Sequence, residues 1–101
     1  MGFSRSSKNI ELKSGHILAA ECRDREGNWH YSRLDLDQYI GNDDGHFVWY
    51  DKDFSLTAIN SSVNANILSA DLKKNDTSYR DNQRLDLDDH IVNEDGRLTF
   101  E

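Results

Sequence analysis

The chain has 101 residues, 36% of them hydrophobic and 10% aromatic, which bounds it to one domain or two very small ones around a modest core. Twelve Lys and Arg stand against nineteen Asp and Glu, a formal net charge of −7. That argues against nucleic acid or an anionic membrane as partner, because both require a cationic surface.

Cys22 is the single cysteine, so no intramolecular disulfide can form and the fold must hold by packing. The start, MGFSRSSKNIEL, lacks the apolar run of a signal peptide, and no stretch approaches membrane-spanning length. The expectation is a cytoplasmic protein, with non-classical secretion as the alternative. Asn60-Ser61-Ser62 and Asn75-Asp76-Thr77 are formal N-glycosylation acceptors, read as chance matches in a Ser/Asn-rich chain.

In chain order, Ile17 to Cys22 is a strand-like apolar run, followed by a turn at Glu26-Gly27-Asn28 and a second strand through Trp29 and Tyr31. Asp37 is placed to cap one helical turn over Gln38-Tyr39-Ile40. Asn42-Asp43-Asp44-Gly45 supplies a hairpin turn in which Gly45 is free to take a positive φ. Phe47-Val48-Trp49 then reads as a third strand, its aromatics inward on either side of an outward residue.

The same devices recur in the second half. Leu34 to Trp49 aligns with Leu85 to Phe100 at an offset of 51, with 8 of 16 positions identical. Ile17-Leu18-Ala19-Ala20 faces Ile67-Leu68-Ser69-Ala70, one residue of difference being taken up in a loop, and Phe3-Ser4 faces Phe54-Ser55. Asp88 and Asn93 to Gly96 repeat the cap and the turn, and Leu34, Leu36, Ile40, Leu85, Leu87 and Ile91 are the expected apolar pins. The chain is therefore a tandem of two units. A unit of about fifty residues rarely buries enough surface to stand alone. The units must share a core or exchange elements. No Pro or Gly/Ser linker parts them, and Tyr50-Asp51-Lys52-Asp53 is the only obvious joint. One all-β fold with internal pseudo-symmetry is expected.

Several chemistries fail on spacing. A calcium loop with Gly45 or Gly96 at its sixth position would have Ile40 or Ile91 as its first ligand, so the register fails twice. His16, His30, His46 and His90 show no metal-ligand spacing, and neither a phosphate loop nor a nucleophile elbow is present. Adjacent carboxylates such as Asp88 and Asp89 point apart on a turn, which suits capping better than glycosidic chemistry. No metal, cofactor or catalysis is expected. Polyol recognition is permitted: a rigid turn bearing Asn and Asp offers fixed acceptors and donors to vicinal hydroxyls. The same turn is equally a plain scaffold element.

The stretches LDLDDHIVNEDGRLTFE and SGHILAAECRDREGNWHYSRLDLDQYIGNDDGHFVW resemble the cyanovirin-N homologue family of mannose-binding lectins, the second in its fungal form. The resemblance covers nearly the whole chain. It implies two lobes with strand exchange, lobe A from 1–38 plus 90–101 and lobe B from 39–89. It also implies one pocket per lobe for high-mannose glycans, chiefly terminal α1,2-linked mannose. Carried over residue by residue, lobe A would use Gly2, Ser6, Arg23, Arg25, Asn93, Glu94 and Asp95. Lobe B would use Gly41, Asn42, Asp44, Asp53, Leu56, Thr57, Lys73 and Asn75.

The departures are specific. Gly41 and Leu56 in lobe B and Arg23 in lobe A stand where the family's founding member has carboxylates; arginine can still bond hydroxyl oxygens, which favours lobe A as the working site. Ser7, Ala58 and Leu72 replace disulfide cysteines and leave Cys22 as a buried thiol. Asp51 replaces the hinge proline linked to domain swapping, so a monomer is expected. The competing expectation is a structural or protein-interaction module that keeps the fold and has lost the sugar site.

Overall fold

The computed structural model describes residues 2–101. A one-turn 3-10 helix, η1 (Phe3–Ser6), leads into a meander of β1 (Ser7–Lys13), β2 (Ile17–Arg23) and β3 (Trp29–Asp35). A second turn, η2 (Leu36–Gln38), leads into the hairpin of β4 (Ile40–Asp43) and β5 (His46–Trp49). The second repeat runs through η3 (Phe54–Thr57), β6 (Ala58–Asn64), β7 (Ile67–Lys73) and β8 (Tyr79–Asp86). It ends with η4 (Leu87–Asp89) and the hairpin of β9 (Ile91–Asn93) and β10 (Leu98–Phe100). Every strand pair is antiparallel, in two three-stranded sheets and two two-stranded hairpins. The class is all-β, as expected, with extents of 50 × 21 × 18 Å.

Period-two burial builds the sheets: in β7 Leu68, Ala70 and Leu72 are buried while Ser69 and Asp71 are half-exposed. β1 and β6 were not foreseen. Both are bulged, at Asn9 and Asn60, whose φ values are 52 and 56. The irregular register blurs the alternation that would reveal a strand.

The repeats exchange their ends. Hairpin β9–β10 packs on η1 and β3, and hairpin β4–β5 packs on η3 and β8. Phe3 and Phe54, the first residues of η1 and η3, share one apolar cluster with Leu36, Ile40, Leu87 and Ile91, all fully buried. Leu34 and Leu85 pack partly buried against it. Aromatics close the joint: Tyr39 stacks on Phe100 at 4.4 Å between ring centroids, and the Trp49 ring lies edge-on to His90 at 4.7 Å.

The helical turn lies earlier than the sequence suggested. Asp35 caps η2 by accepting from Asp37 N at 3.0 Å, and Asp86 caps η4 by accepting from Asp88 N at 3.0 Å. The turn must begin there to send Leu36 and Leu87 into the core. The second Asp of each LDLD is thereby released for a longer reach. Asp37 accepts from Ser55 N at 3.1 Å and from Ser55 Oγ, and Asp88 accepts from Ser4 N at 3.0 Å and from Ser4 Oγ.

The positions of the absent disulfides are cross-strand neighbours, Ser7 with Cys22 and Ala58 with Leu72. Ser7 Oγ donates to Cys22 Sγ at 3.5 Å, and burial pushes the thiol pKa up against that bond. The thiol is held in its inert form.

Asp88→Ala strips both acceptors from Ser4 and should lower the unfolding free energy by about 1–3 kcal/mol in urea titration. Asp37→Ala, acting on Ser55, should cost a similar amount.

Candidate functional site

Each hairpin turns on an Asp-Gly pair whose residues are both left-handed. Asp44 and Gly45 have φ of 49 and 87; Asp95 and Gly96 have 50 and 94. This is the geometry of the two-residue turn that matches strand twist. The Asn preceding each pair locks it. Asn42 Oδ1 accepts from Gly45 N at 2.8 Å, and Asn93 Oδ1 accepts from Gly96 N at 2.7 Å.

The amide nitrogens reach across to other elements. Asn42 Nδ2 donates to Thr57 Oγ1 at 2.8 Å and Lys73 O at 2.9 Å. Asn93 Nδ2 donates to Ser6 Oγ at 2.8 Å and Arg23 O at 2.9 Å. Both N–H groups and one acceptor position of each Asn are thus engaged. The sequence placed these residues in the sugar pockets; in the structure both act as struts, with their amide N–H groups engaged.

The neighbouring carboxylates are held at one oxygen only. Asp44 Oδ1 accepts from Asn75 N at 2.9 Å, and Asp95 Oδ1 accepts from Arg25 N at 2.9 Å. Each second oxygen remains as an acceptor for a ligand. Glu94 Oε2 lies 3.9 Å from Arg25 Nη2 with both side chains well exposed, a pair worth little to stability and easily opened.

Asp24 fixes the loop beneath the Asp95-Gly96 turn. Its Oδ1 accepts from Glu26 N and Asn28 N, each at 2.9 Å, and its Oδ2 meets His30 Nε2 at 2.7 Å. The His30 bond first, then the backbone bonds, lower the Asp24 pKa. Near the Asp44-Gly45 turn, Asp76 Oδ1 accepts from Ser78 N at 3.0 Å and from the Ser78 hydroxyl, and the hydroxyl bond chiefly lowers its pKa.

The structure thus joins Ser6, Arg23, Arg25, Asn93, Glu94 and Asp95 in one place, and Asn42, Asp44, Thr57, Lys73 and Asn75 in another. Arg23 and Lys73 enter these networks through backbone carbonyls; the Arg23 guanidinium lies 5.8 Å from the Trp29 ring centroid. Gly2 lies at the Asp88 brace, where an added Cβ would fall 1.9 Å from Asp88 Cγ. Asp53, left-handed with φ of 64, donates its N–H to Asp37 O at 2.9 Å at the entry to η3. Leu56 is 79% exposed and offers no polar group beyond its backbone.

Gly41 has no room for a side chain, since a Cβ there would lie 2.3 Å from Asp51 Oδ2 and 2.6 Å from Asp51 Cβ. The Asp51 carboxylate occupies the space that opens when position 41 carries no side chain.

A cavity of about 590 Å³ adjoins the Asp95-Gly96 turn, lined by Arg25, His30, Tyr31, Ser32, Glu94, Asp95, Gly96 and Arg97. His30, Tyr31, Ser32 and Arg97 were missed, because only the exchange of β10 onto β3 brings them together. Leu98 N donating to Ser32 Oγ at 3.0 Å makes that junction. Both turns are tightly backed: a Cβ on Gly45 would meet Lys74 Cγ at 2.9 Å and Arg80 Cβ at 3.0 Å, and one on Gly96 would meet His30 Cδ2 at 2.7 Å. Among the described residues Arg80 Nε is buried without a hydrogen-bond partner.

The CVNH domain profile matches residues 3–99. The chain belongs to the CVNH domain family. It is 38% identical over 104 residues to a cyanovirin-N homologue of Tuber borchii, with all of both chains covered. It superimposes on a designed cyanovirin-N homologue lectin with a TM-score of 0.92 at 38% identity, again over the whole of both chains. Microvirin, solved as a mannobiose complex, gives a TM-score of 0.85 at 27% identity, covering 99% of this chain and 98% of microvirin. CVNH proteins are lectins, and the two turns fit a carbohydrate-binding role.

Two outcomes test this geometry. A carboxylate whose folded pKa is depressed stabilises above its unfolded value and loses that contribution as pH falls through the folded pKa. The Glu26 and Asn28 amide resonances should therefore hold steady on acidification and move only below about pH 3.9, with Asp24→Asn moving them at neutral pH. Gly41→Ala should be destabilising by about 1–3 kcal/mol in thermal or urea unfolding, because the Asp51 backbone must shift with its side chain.

Proposed function

We propose that this CVNH protein is a non-catalytic, monomeric lectin for high-mannose glycans, chiefly terminal α1,2-linked mannose, binding without a metal. Its units would be lobe A, 1–38 plus 90–101, and lobe B, 39–89, with one pocket each. The observation that carries the reading is the strutted turn. Asn93 immobilises a hairpin that presents the second oxygen of Asp95 beside Glu94, Arg25 and Ser6. Preorganised acceptors and donors of this kind suit vicinal hydroxyls, because little ordering entropy remains to be lost on binding. Microvirin's complex with mannobiose, on the same fold, supports mannose as the sugar.

The absence of catalysis is supported by what the carboxylates do. Asp37 and Asp88 are each engaged by a serine, so neither is placed for acid–base work. Lobe A is the preferred site because the cavity adjoins its turn. In lobe B, Leu56 presents an apolar, exposed side chain and Gly41 offers none, an arrangement that favours scaffold over pocket there. The structural-module reading rests on that lobe.

Titration with α1,2-linked mannobiose, followed by amide NMR, should shift the 23–25 and 93–95 resonances. Asp95→Ala should weaken binding by about tenfold or more, whereas Asp44→Ala should change it little. Silence at millimolar sugar would refute the lectin reading, and equal losses from the two substitutions would refute the lobe preference.

A further inference from the structure

The turn between β1 and β2 carries His16 to the far end of β2 from the lobe A pocket. There its Nδ1 lies 2.8 Å from Asp35 Oδ1 and 3.6 Å from Asp37 Oδ2. One ligand atom from each residue lies within 4.8 Å of the other two, and all three residues are partly buried. The histidines' sequence spacing hid this cluster, because its members come from a turn, a strand end and a 3-10 helix.

The second repeat meets the same structural need without an imidazole. Asn66 stands at the place of His16: Leu36 N donates to His16 O at 2.8 Å, and Leu87 N donates to Asn66 O at 2.7 Å. Asn66 Nδ2 donates to Asp86 Oδ1 at 2.8 Å, as the His16 ring meets Asp35. A neutral amide therefore suffices for the scaffold. His16 adds something an amide lacks, a nitrogen lone pair that faces two carboxylates when the ring proton sits on Nε2.

We propose that His16 Nδ1, Asp35 and Asp37 form a site for a divalent transition metal of the zinc class, one per chain. Zinc bonds of 2.0–2.2 Å in tetrahedral array place ligand atoms about 3.4 Å apart. The 3.6 Å between His16 and Asp37 already fits that edge. The 2.8 Å between His16 and Asp35 is a hydrogen bond that opens slightly as the cation takes the Nδ1 lone pair, the neutral imidazole keeping its one proton on Nε2. One imidazole with two carboxylates suits zinc better than calcium or magnesium, which require more oxygens.

The carboxylates are held in place from behind. Asp37 N donates to Asp35 Oδ1 at 3.0 Å, and Ser55 donates to Asp37 from the other repeat. Such supporting bonds orient ligands before the metal arrives. Side-chain exposures of 30% and 36% for His16 and Asp35 leave the outer side open for water to complete the coordination. The bound cation would tie the β1–β2 turn to η2, and through Asp37 to η3.

The test is calorimetric and NMR titration of the full chain with zinc chloride. One saturable zinc per chain is expected, with shifts centred on 16, 35 and 37 and a raised unfolding midpoint. His16→Asn copies Asn66, so it should fold normally and lose the saturable binding. Asp35→Asn, which keeps a capping acceptor, should weaken binding as an independent check, and His46→Asn should leave it unchanged. Absence of saturable binding, binding unaltered in His16→Asn, or shifts centred instead on Asp24 and His30 would each overturn the assignment.

Discussion

Two carboxylates hold this chain in its exchanged form. Asp88, near the end, takes both the N–H and the hydroxyl of Ser4, near the start, and Asp37 does the same for Ser55. Each bond pair fixes the N-terminal turn of one repeat against the 3-10 turn that follows the meander of the other. Phe3 and Phe54 follow into the shared core as the neighbours of those serines. A carboxylate with two neutral donors is a strong anchor where water is partly excluded. Without it, each fifty-residue repeat would have to close its own core, which its size does not permit.

The pockets inherit their rigidity from that arrangement. Once η1 lies beside β9, Asn93 can reach Ser6 and the end of β2 together; once η3 lies beside β4, Asn42 can reach Thr57 and Lys73. Because each Asn also holds the Gly of its own turn, the hairpin tip cannot move independently of two other elements. The free acceptor on Asp44 or Asp95 therefore sits on a fixed platform. Binding strength in such a site depends on the side chains around it, since the backbone is already committed.

Much of this was legible in the sequence. The 51-residue offset exposed the two repeats, and the buried Leu36, Ile40, Leu87 and Ile91 were named from the pattern alone. The Asn-x-Asp-Gly turns were placed correctly because a positive φ at Gly leaves a local signature. What escaped was non-local. LDLD contains two Asp residues two positions apart, and local reading cannot say which one caps and which one braces. Tertiary demand decides, because Leu36 and Leu87 must face inward. The strut role of Asn42 and Asn93 was hidden for the same reason, since its acceptors lie 15 to 87 residues away. His30 and Arg97 meet only after strand exchange.

The pseudo-symmetry also shows how one scaffold diverges without losing its fold. Backbone hydrogen bonds and buried Leu, Ile and Phe positions are duplicated almost bond for bond, whereas the divergent residues lie on side-chain surfaces. His30 in one half corresponds to Arg80 in the other: His30 backs Gly96 and lines the cavity there, whereas Arg80 and Lys74 back Gly45. Gly41 carries no side chain where its repeat partner is Val92, and Asp51 from the joint lies in that volume. Such changes cost little, because the struts and braces that hold each lobe use other atoms. A repeat whose stability resides in Asp37, Asp88, Asn42 and Asn93 can alter the face around each turn freely. Duplication of the fold is therefore no argument for duplication of the function, and the two turns have to be judged by the side chains that surround them.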